Sequence, residues 1–270
     1  MQHALLPLLT APEGGGALTL TVQHQEDDEI IEGKLTDAAG RVYPIEDGIP
    51  RLLPSIMLDA QKSEMAARDA QVDDYDRMAF LNLFGKIEIP MTMRALSLGP
   101  DDRLLEAGCG TGRMTRSLAK AVREVVAIDF SFESLRVNRK KLLAAGIKNA
   151  HLVQADLCHL PFVSGSFNRV VSCQVLEHVP GEVARRNAVT ELARVAKHGA
   201  NVVVSAYQHN VFTRAFAQKE GQHDGGIPYF RFTQSEFRDV LSTALDVKSI
   251  TGSLIYLFLA KCKKSTNVGA

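Results

Sequence analysis

Three acidic residues end apolar, strand-like segments, where their carboxylates could hold a polar ligand. Glu106 lies near the end of DRLLEAG, Asp129 ends EVVAID, and Asp156 ends AHLVQAD. After the first of these segments, GCGTG at residues 108–112 places glycines at alternate positions before a helical pattern. A strand, a glycine loop and a helix start together indicate a nucleotide-like ligand, although several cofactors use such a unit.

The spacing of the glycines argues against a dinucleotide. Dinucleotide-binding loops have the pattern G-x-G-x-x-G, and the third glycine lets the helix pack on the strand. This sequence has G-x-G-x-G instead, and Arg113 occupies the position of that third glycine. Glu106 would also repel a pyrophosphate, whereas it suits a ligand that carries an ammonium group.

The remaining acids and the helix start match the other parts of one ligand. An acid at the end of the second strand, Asp129, can accept hydrogen bonds from both ribose hydroxyls. One at the end of the third strand, Asp156, can accept from the adenine amino group. The helix start after Gly112 offers N–H groups and a positive dipole to a carboxylate. Ammonium, carboxylate, ribose and adenine together describe S-adenosylmethionine.

Longer motifs support this interpretation. LLEAGCGTG, VVAIDFS and ADLCHLPFVSGSFNRVVSCQVLEHV resemble the successive motifs of class I S-adenosylmethionine-dependent methyltransferases, over roughly residues 100–262. One departure is Asn168, where an aspartate is usual before the fourth strand. We expect it to affect local capping more than chemistry.

The resemblance implies three groups of cofactor-binding residues besides Glu106. The loop residues that line the methionine and sugar are Gly108, Cys109, Gly110 and Gly112. The residues that hold the ribose and adenine are Asp129, Phe130, Asp156 and Leu157. Gln174 closes the methionine side, and Tyr75, in the helical segment before the domain, either folds over the cofactor or packs on the surface.

The acceptor site is less marked in the sequence, because alignment of a nucleophile with an activated methyl group needs few dedicated residues. His178 in QVLEHV is the catalytic candidate, with a structural hydrogen bond as the alternative. The insert HNVFTRAFAQKEGQHDGGIPYFRFTQSEF contains the substrate-binding candidates Tyr229 and Arg231, which could equally serve ordinary packing. His223 and Asp224 in the same insert are interpreted as loop residues, and no metal site is predicted.

Strand and helix patterns alternate from Asp102 onward, which predicts an α/β fold. We expect a Rossmann-like, seven-stranded, mostly parallel sheet with helices on both faces and an antiparallel pair of strands at the end of the chain. One helix should run over residues 181–199 and end at Gly199. Another should begin with a capping box from Thr233 to Glu236.

The patterns divide the chain into four parts: a small β-rich domain at 1–54, a helical linker and cofactor lid at 55–100, the methyltransferase domain at 101–264, and a disordered tail at 265–270. The first part resembles the zinc ribbon of small methyltransferase-activating proteins through APEGGGAL, EGKL and GRVYPIEDGIPRLLP. The positions of the four zinc-binding cysteines are held by Ala11, Gly14, Thr36 and Ala39, so zinc should be absent. An unrelated β-appendage is the alternative.

Composition restricts the partners. The 270 residues include 31 basic and 31 acidic ones, and this balance favours a small-molecule acceptor over RNA. An rRNA or tRNA methyltransferase and a non-catalytic cofactor-binding regulator stay open as alternatives. Four scattered cysteines and no secretory or membrane segment predict a cytoplasmic protein with free thiols. The sequence leaves the oligomeric state undecided.

Overall fold

The computed structural model describes residues 1–55, 65, 69, 79–211, 213, 217–223, 226–253 and 256–264, without the side chains of 79–86. The predicted lid residue Tyr75 and the predicted tail at 265–270 lie outside these residues, as does Asp224.

One large sheet forms the frame of the molecule. Its strands are β1 (Thr19–Glu26), β2 (Glu29–Thr36), β3 (Val42–Glu46), β4 (Ile49–Leu52), β5 (Arg103–Ala107), β6 (Glu124–Asp129), β7 (Ala150–Ala155), β8 (Phe167–Cys173), β9 (Ala196–Tyr207), β12 (Leu245–Ser253) and β13 (Leu257–Lys264). The strand order is β1-β2-β3-β4-β7-β6-β5-β8-β9-β13-β12, while β10 (Glu220–Gln222) and β11 (Pro228–Phe230) form a separate ribbon. The strands from β4 to β9 run parallel, and β12 and β13 are the expected antiparallel pair.

The α/β fold is therefore confirmed, but the predicted count of seven strands is wrong for the sheet as a whole. The seven strands β5–β9, β12 and β13 are present, and β1–β4 extend the same sheet to eleven. The extension begins where Arg51 and Leu52 of β4 pair in parallel with Gln154 and Ala155 of β7. The division of the chain near residues 54 and 100 stays a prediction.

The helices are α1 (Ala79–Leu96), α2 (Thr115–Ala119), α3 (Phe132–Ala144), α4 (Glu182–Val195) and α5 (Gln234–Leu241), with short 3-10 helices at His3–Leu8 and Leu176–His178. The capping box of α5 is present as expected. The predicted end of α4 at Gly199 is wrong, because buried Ala196 already pairs with Phe167 in the sheet and β9 starts there. No helix in the described ranges is long and apolar enough to cross a membrane.

Central strands are buried on both faces, as a parallel sheet requires. Along β5, Leu105 packs into one core layer and Leu104 into the other. Ile30 and Leu35 of the N-terminal strands β1–β4 belong to the same layer as Leu105. The extra strands thus share the core of the larger fold. The strand order reverses at β5, which lies between β6 and β8. In open α/β sheets, ligands bind beyond the carboxyl ends of the strands at such a point.

An ionic network joins the loops that would carry cysteines in a zinc ribbon. Arg41 donates to Asp37 through Nε (2.6 Å) and forms an ion pair with Glu13 through Nη1. Asp37 also accepts the N–H groups of Ala39 and Arg41, each at 2.9 Å. Glu13 in turn accepts the hydroxyl of Ser55 at 2.6 Å. Charged hydrogen bonds hold these two loops together.

We therefore expect Arg41→Ala to lower the free energy of unfolding by about 1–2 kcal/mol, because Asp37 loses its counter-charge while Arg41 is partly exposed to solvent. Chemical denaturation measures this loss. Lys34→Ala, on the neighbouring strand, serves as the control. A chelator should leave both proteins unchanged; unfolding by the chelator, or one bound zinc per chain, would contradict this account.

Candidate cofactor and acceptor site

The glycine loop follows β5 and leaves room for a ligand. Gly108 and Gly112 both have φ of +86°. A Cβ atom would come within 2.1 Å of Val175 at Gly108 and within 2.1 Å of Asn138 at Gly112. At Gly110 a Cβ atom would meet nothing within 4 Å. The outer two glycines are thus required by the protein's own packing, while the middle one borders open space.

Asp129, at the end of β6, holds this loop in shape. Its Oδ2 accepts the N–H of Gly110 at 2.7 Å, and its Oδ1 accepts the N–H of Ser131 at 2.9 Å. A carboxylate oxygen has more than one lone pair, so both oxygens can accept further hydrogen bonds. The arrangement fits the predicted contact with ribose hydroxyls and gives Asp129 a second role in ordering the loop.

Glu106 is a buried acid with an unpaired oxygen. Glu106 is only 5% exposed, and its Oε2 has no hydrogen-bond partner among the described residues. Burial raises the pKa of Glu106 to about 8, with a smaller contribution from Asp129, against the opposing effects of Thr115 and Arg113. A buried carboxyl with one unpaired oxygen fits the ammonium group of S-adenosylmethionine, which would restore its charge.

The predicted adenine end lies at the ends of β6 and β7. Asp156 accepts the N–H of Cys158 at 2.9 Å and contacts Nδ1 of His159 at 3.1 Å, and this hydrogen bond raises the pKa of His159. Leu157 beside it is buried. The backbone carbonyl of Phe130 accepts from Gln154. Both Asp156 oxygens thus have protein contacts, and an adenine amino group would have to share one of them.

The predicted methionine side contains a buried acid that the sequence did not reveal. Glu88 of α1 is 2% exposed. Its Oε2 accepts from Nε2 of Gln174 at 2.7 Å and from Nη2 of Arg113 at 2.8 Å, and its Oε1 accepts from Ser205 at 3.3 Å. Gln174 itself has the left-handed φ of +58°. Glu88 thereby connects the glycine loop with the ends of β8 and β9. Its one local signal is an acid inside the apolar segment IEIPM.

The three acceptor-site candidates meet in one place. The Tyr229 ring lies 5.1 Å from Cζ of Arg231, and the Tyr207 ring lies 5.1 Å from that atom and 5.7 Å from the His178 ring. His223, interpreted above as a loop residue, lies 4.7 Å from the Tyr229 ring. The complete set, called the ring cluster below, is His178, Tyr207, His223, Tyr229 and Tyr256 around Arg231.

Sequence reasoning missed Tyr207 and Tyr256. Tyr207 could have been found as the last residue of the strand-like segment ANVVVSAY, because ligands bind at that edge of the sheet. Tyr256, between β12 and β13, gave no comparable signal. The insert aromatics Phe212 and Phe216 lie outside the described residues.

His178 is fixed in one tautomer. Its Nδ1 lies 2.8 Å from the carbonyl oxygen of Pro228. Because a carbonyl only accepts, Nδ1 carries the hydrogen, and in the neutral ring Nε2 holds the lone pair. The structural hydrogen bond foreseen as the alternative is therefore present, and it makes Nε2 the ring nitrogen with the chemistry of a base.

Comparisons with known proteins agree with this geometry. A family model described as a methyltransferase domain matches residues 104–199. A demethylmenaquinone methyltransferase of Thermobifida fusca is 31% identical over 155 residues, which make up 56% of this chain and 64% of that relative. The chain spans less than two thirds of the length of the curated relatives it matches.

Solved structures share the fold. A chain of the complex between the Haloferax volcanii Trm112 methyltransferase activator and a methyltransferase has a TM-score of 0.61 at 14% identity, covering 76% of this chain and 99% of that one. A SAM-dependent methyltransferase of Aquifex aeolicus has a TM-score of 0.59 at 16% identity, covering 73% and 98%. These likenesses show the fold, and the matched methyltransferase domain together with the geometry of the site indicates S-adenosylmethionine as the cofactor.

The raised pKa of Glu106 predicts that cofactor binding releases a proton. Below pH 8 the unliganded carboxyl is mostly protonated, and an ammonium group favours the carboxylate, so binding lowers this pKa. We expect S-adenosylhomocysteine to release close to one proton at pH 7 and almost none well above pH 8. Calorimetry in buffers of different ionisation enthalpy measures the release.

Glu106→Gln should abolish the release, whereas Asp101→Asn, at an exposed acid near the opposite end of β5, should keep it. Proton uptake by the wild-type protein at pH 7, or binding without any release, would contradict the role given to Glu106.

Proposed function

We propose that this protein transfers the methyl group of S-adenosylmethionine to a small-molecule acceptor bound at the ring cluster. The observation that carries the proposal is the position of His178, Tyr229 and Arg231. They form one aromatic and cationic group beyond the carboxyl ends of β8 and β9. A compact set of rings around one cation suits a small planar molecule.

The bound cofactor supplies a methyl group that is already activated on a sulfonium. The protein therefore has to hold the acceptor in line and keep water away. His178 can accept a proton at Nε2 while the carbonyl of Pro228 holds the other ring nitrogen. Tyr207 packs edge-on against the His178 ring, at 81° between the ring planes, and restricts its rotation.

The cofactor residues would act as a set around the glycine loop. Glu106 would bind the ammonium group and Asp129 the ribose. Asp156, with Leu157 and Phe130, would border the adenine. Gln174 and Glu88 would close the methionine side through their hydrogen bond. These assignments are proposals that rest on the geometry and on the resemblance, while that of Tyr75 rests on the resemblance alone.

The local charge distribution supports a small molecule over RNA. The densest basic segment, RVNRKK, lies on α3, where Arg136 pairs with Asp47 at 2.8 Å and Arg139 with Glu29 at 2.6 Å. Both acids belong to the N-terminal strands or to the turn between them. Cations that are neutralised within the protein contribute little to binding phosphates. The names of the curated relatives, demethylmenaquinone methyltransferases, also denote a small-molecule acceptor for those proteins.

The proposal predicts that label from methyl-labelled S-adenosylmethionine enters metabolites. The protein is incubated with separated metabolite, RNA and protein fractions of a cell extract, and Asp129→Ala serves as the cofactor-binding control. Label should appear in the metabolite fraction with the wild type alone. Label in RNA with none in metabolites would favour the RNA methyltransferase, and cofactor binding without transfer to any fraction would favour the regulator.

A further inference from the structure

Arg231 is a buried cation enclosed by aromatic rings. It follows β11, where its N–H donates to the carbonyl of Lys219 at 2.6 Å, and it is 5% exposed. Its Cζ lies 4.7 Å from the centre of the Tyr256 ring and 5.1 Å from the centres of the Tyr207 and Tyr229 rings. The three tyrosines come from three separate parts of the chain, so the tertiary fold as a whole builds the enclosure.

Most N–H donors of this guanidinium are unused. Nη2 donates to the hydroxyl of Tyr256 at 2.9 Å, while Nε and Nη1 have no hydrogen-bond partner among the residues the structure describes. Arg194, which is half-buried, differs in this respect, because its Nε donates to the carboxylate of Glu191 at 2.6 Å. Within the described part of the chain, Arg231 is thus a buried cation with two guanidinium nitrogens that lack an acceptor.

A buried charge requires compensation, and the rings supply part of it. Cation–π contacts stabilise a guanidinium above an aromatic face, but they leave its in-plane N–H donors unsatisfied. An oxyanion beside either edge of the guanidinium would accept from Nε or from Nη1 and would neutralise the charge, because a guanidinium can donate two parallel hydrogen bonds to a carboxylate. A neutral acceptor would provide only part of this compensation.

From this geometry we propose that the methyl acceptor is a planar aromatic molecule that carries an oxyanion, a carboxylate or a phenolate, and that Arg231 binds this group. The inference rests on the proposed function and specifies its substrate class. The centre of the Tyr207 ring lies 5.1 Å from Cζ of Arg231 and 5.7 Å from the centre of the His178 ring. An anion bound to Arg231 would therefore lie near the candidate base. Arg231 is then a specificity-determining residue, and Tyr256 positions it.

The test compares charged and neutral aromatic probes in calorimetry at pH 7.5 with saturating S-adenosylhomocysteine. The carboxylate arm uses 2-naphthoate against 2-naphthamide, and the phenolate arm uses pentafluorophenol, ionised at this pH, against phenol. In at least one arm the charged probe should bind the wild type at least tenfold more tightly than its neutral partner. The arm that shows the preference identifies the source of the oxyanion.

Arg231→Gln should reduce that preference to less than twofold while the affinity for S-adenosylhomocysteine changes less than twofold. Arg185→Gln is the matched control, since Arg185 also lies over an aromatic ring, 4.4 Å from the centre of Phe230, and should keep the preference. Tyr256→Phe retains the charge and removes one hydroxyl. It should weaken the binding of the charged probe at least threefold more than the binding of the neutral one. This comparison tests the role of Arg231 even if Arg231→Gln does not fold.

Equal binding of charged and neutral probes in both arms would overturn the inference, and so would a preference that survives in folded Arg231→Gln. Equal effects of Tyr256→Phe on both probes would also overturn it, and the cation would then serve packing alone. Failure of the wild type to bind S-adenosylhomocysteine would instead remove the proposed function itself, so the two failures are distinguishable.

Discussion

The carboxyl of Glu106 is held inside the protein at the end of the central strand, and burial keeps its pKa near 8 in the unliganded site. Burial destabilises the carboxylate form of this group, and a bound cation would stabilise it. The glycine loop beside it packs so closely against Val175 and Asn138 that Gly108 and Gly112 cannot carry side chains, whereas Gly110 borders open space. The candidate cofactor end of the sheet therefore combines a buried acid that has one unpaired oxygen with open space at Gly110.

The N-terminal strands contribute to this arrangement through the sheet. Arg51 of β4 donates to the side chain of Gln154 at 2.8 Å, and Gln154 donates to the carbonyl of Phe130 at 3.0 Å. Arg139 of α3 pairs with Glu29 of the first hairpin. The added strands thus support the predicted adenine end by direct contacts. This continuity explains how a segment without zinc ligands can be held by the larger fold and by its own ionic network.

Local sequence patterns predict much of the fold and of the cofactor site. The apolar runs and their spacing indicate the parallel strands, and the chemistry of Glu106, Asp129 and the glycines indicates the cofactor. The features that escaped prediction depend on contacts distant in sequence. The hydrogen bond between Glu88 and Gln174 joins residues 86 positions apart in the sequence, and the one between Arg231 and Tyr256 joins residues 25 positions apart. The pairing of β4 with β7 likewise depends on which sheet edge is available, which a local pattern does not encode.

The central claim, that the strand-end acids and the glycine loop bind S-adenosylmethionine, is tested most directly by the dissociation constant of S-adenosylhomocysteine. Asp129→Ala removes the charged acceptor that also holds the loop. Calorimetry should show binding to the wild type, more than tenfold weaker binding to Asp129→Ala, corresponding to about 1.4 kcal/mol or more, and no change in Asp101→Ala. No binding to the wild type at millimolar concentration, or an unchanged constant in Asp129→Ala, would contradict the account.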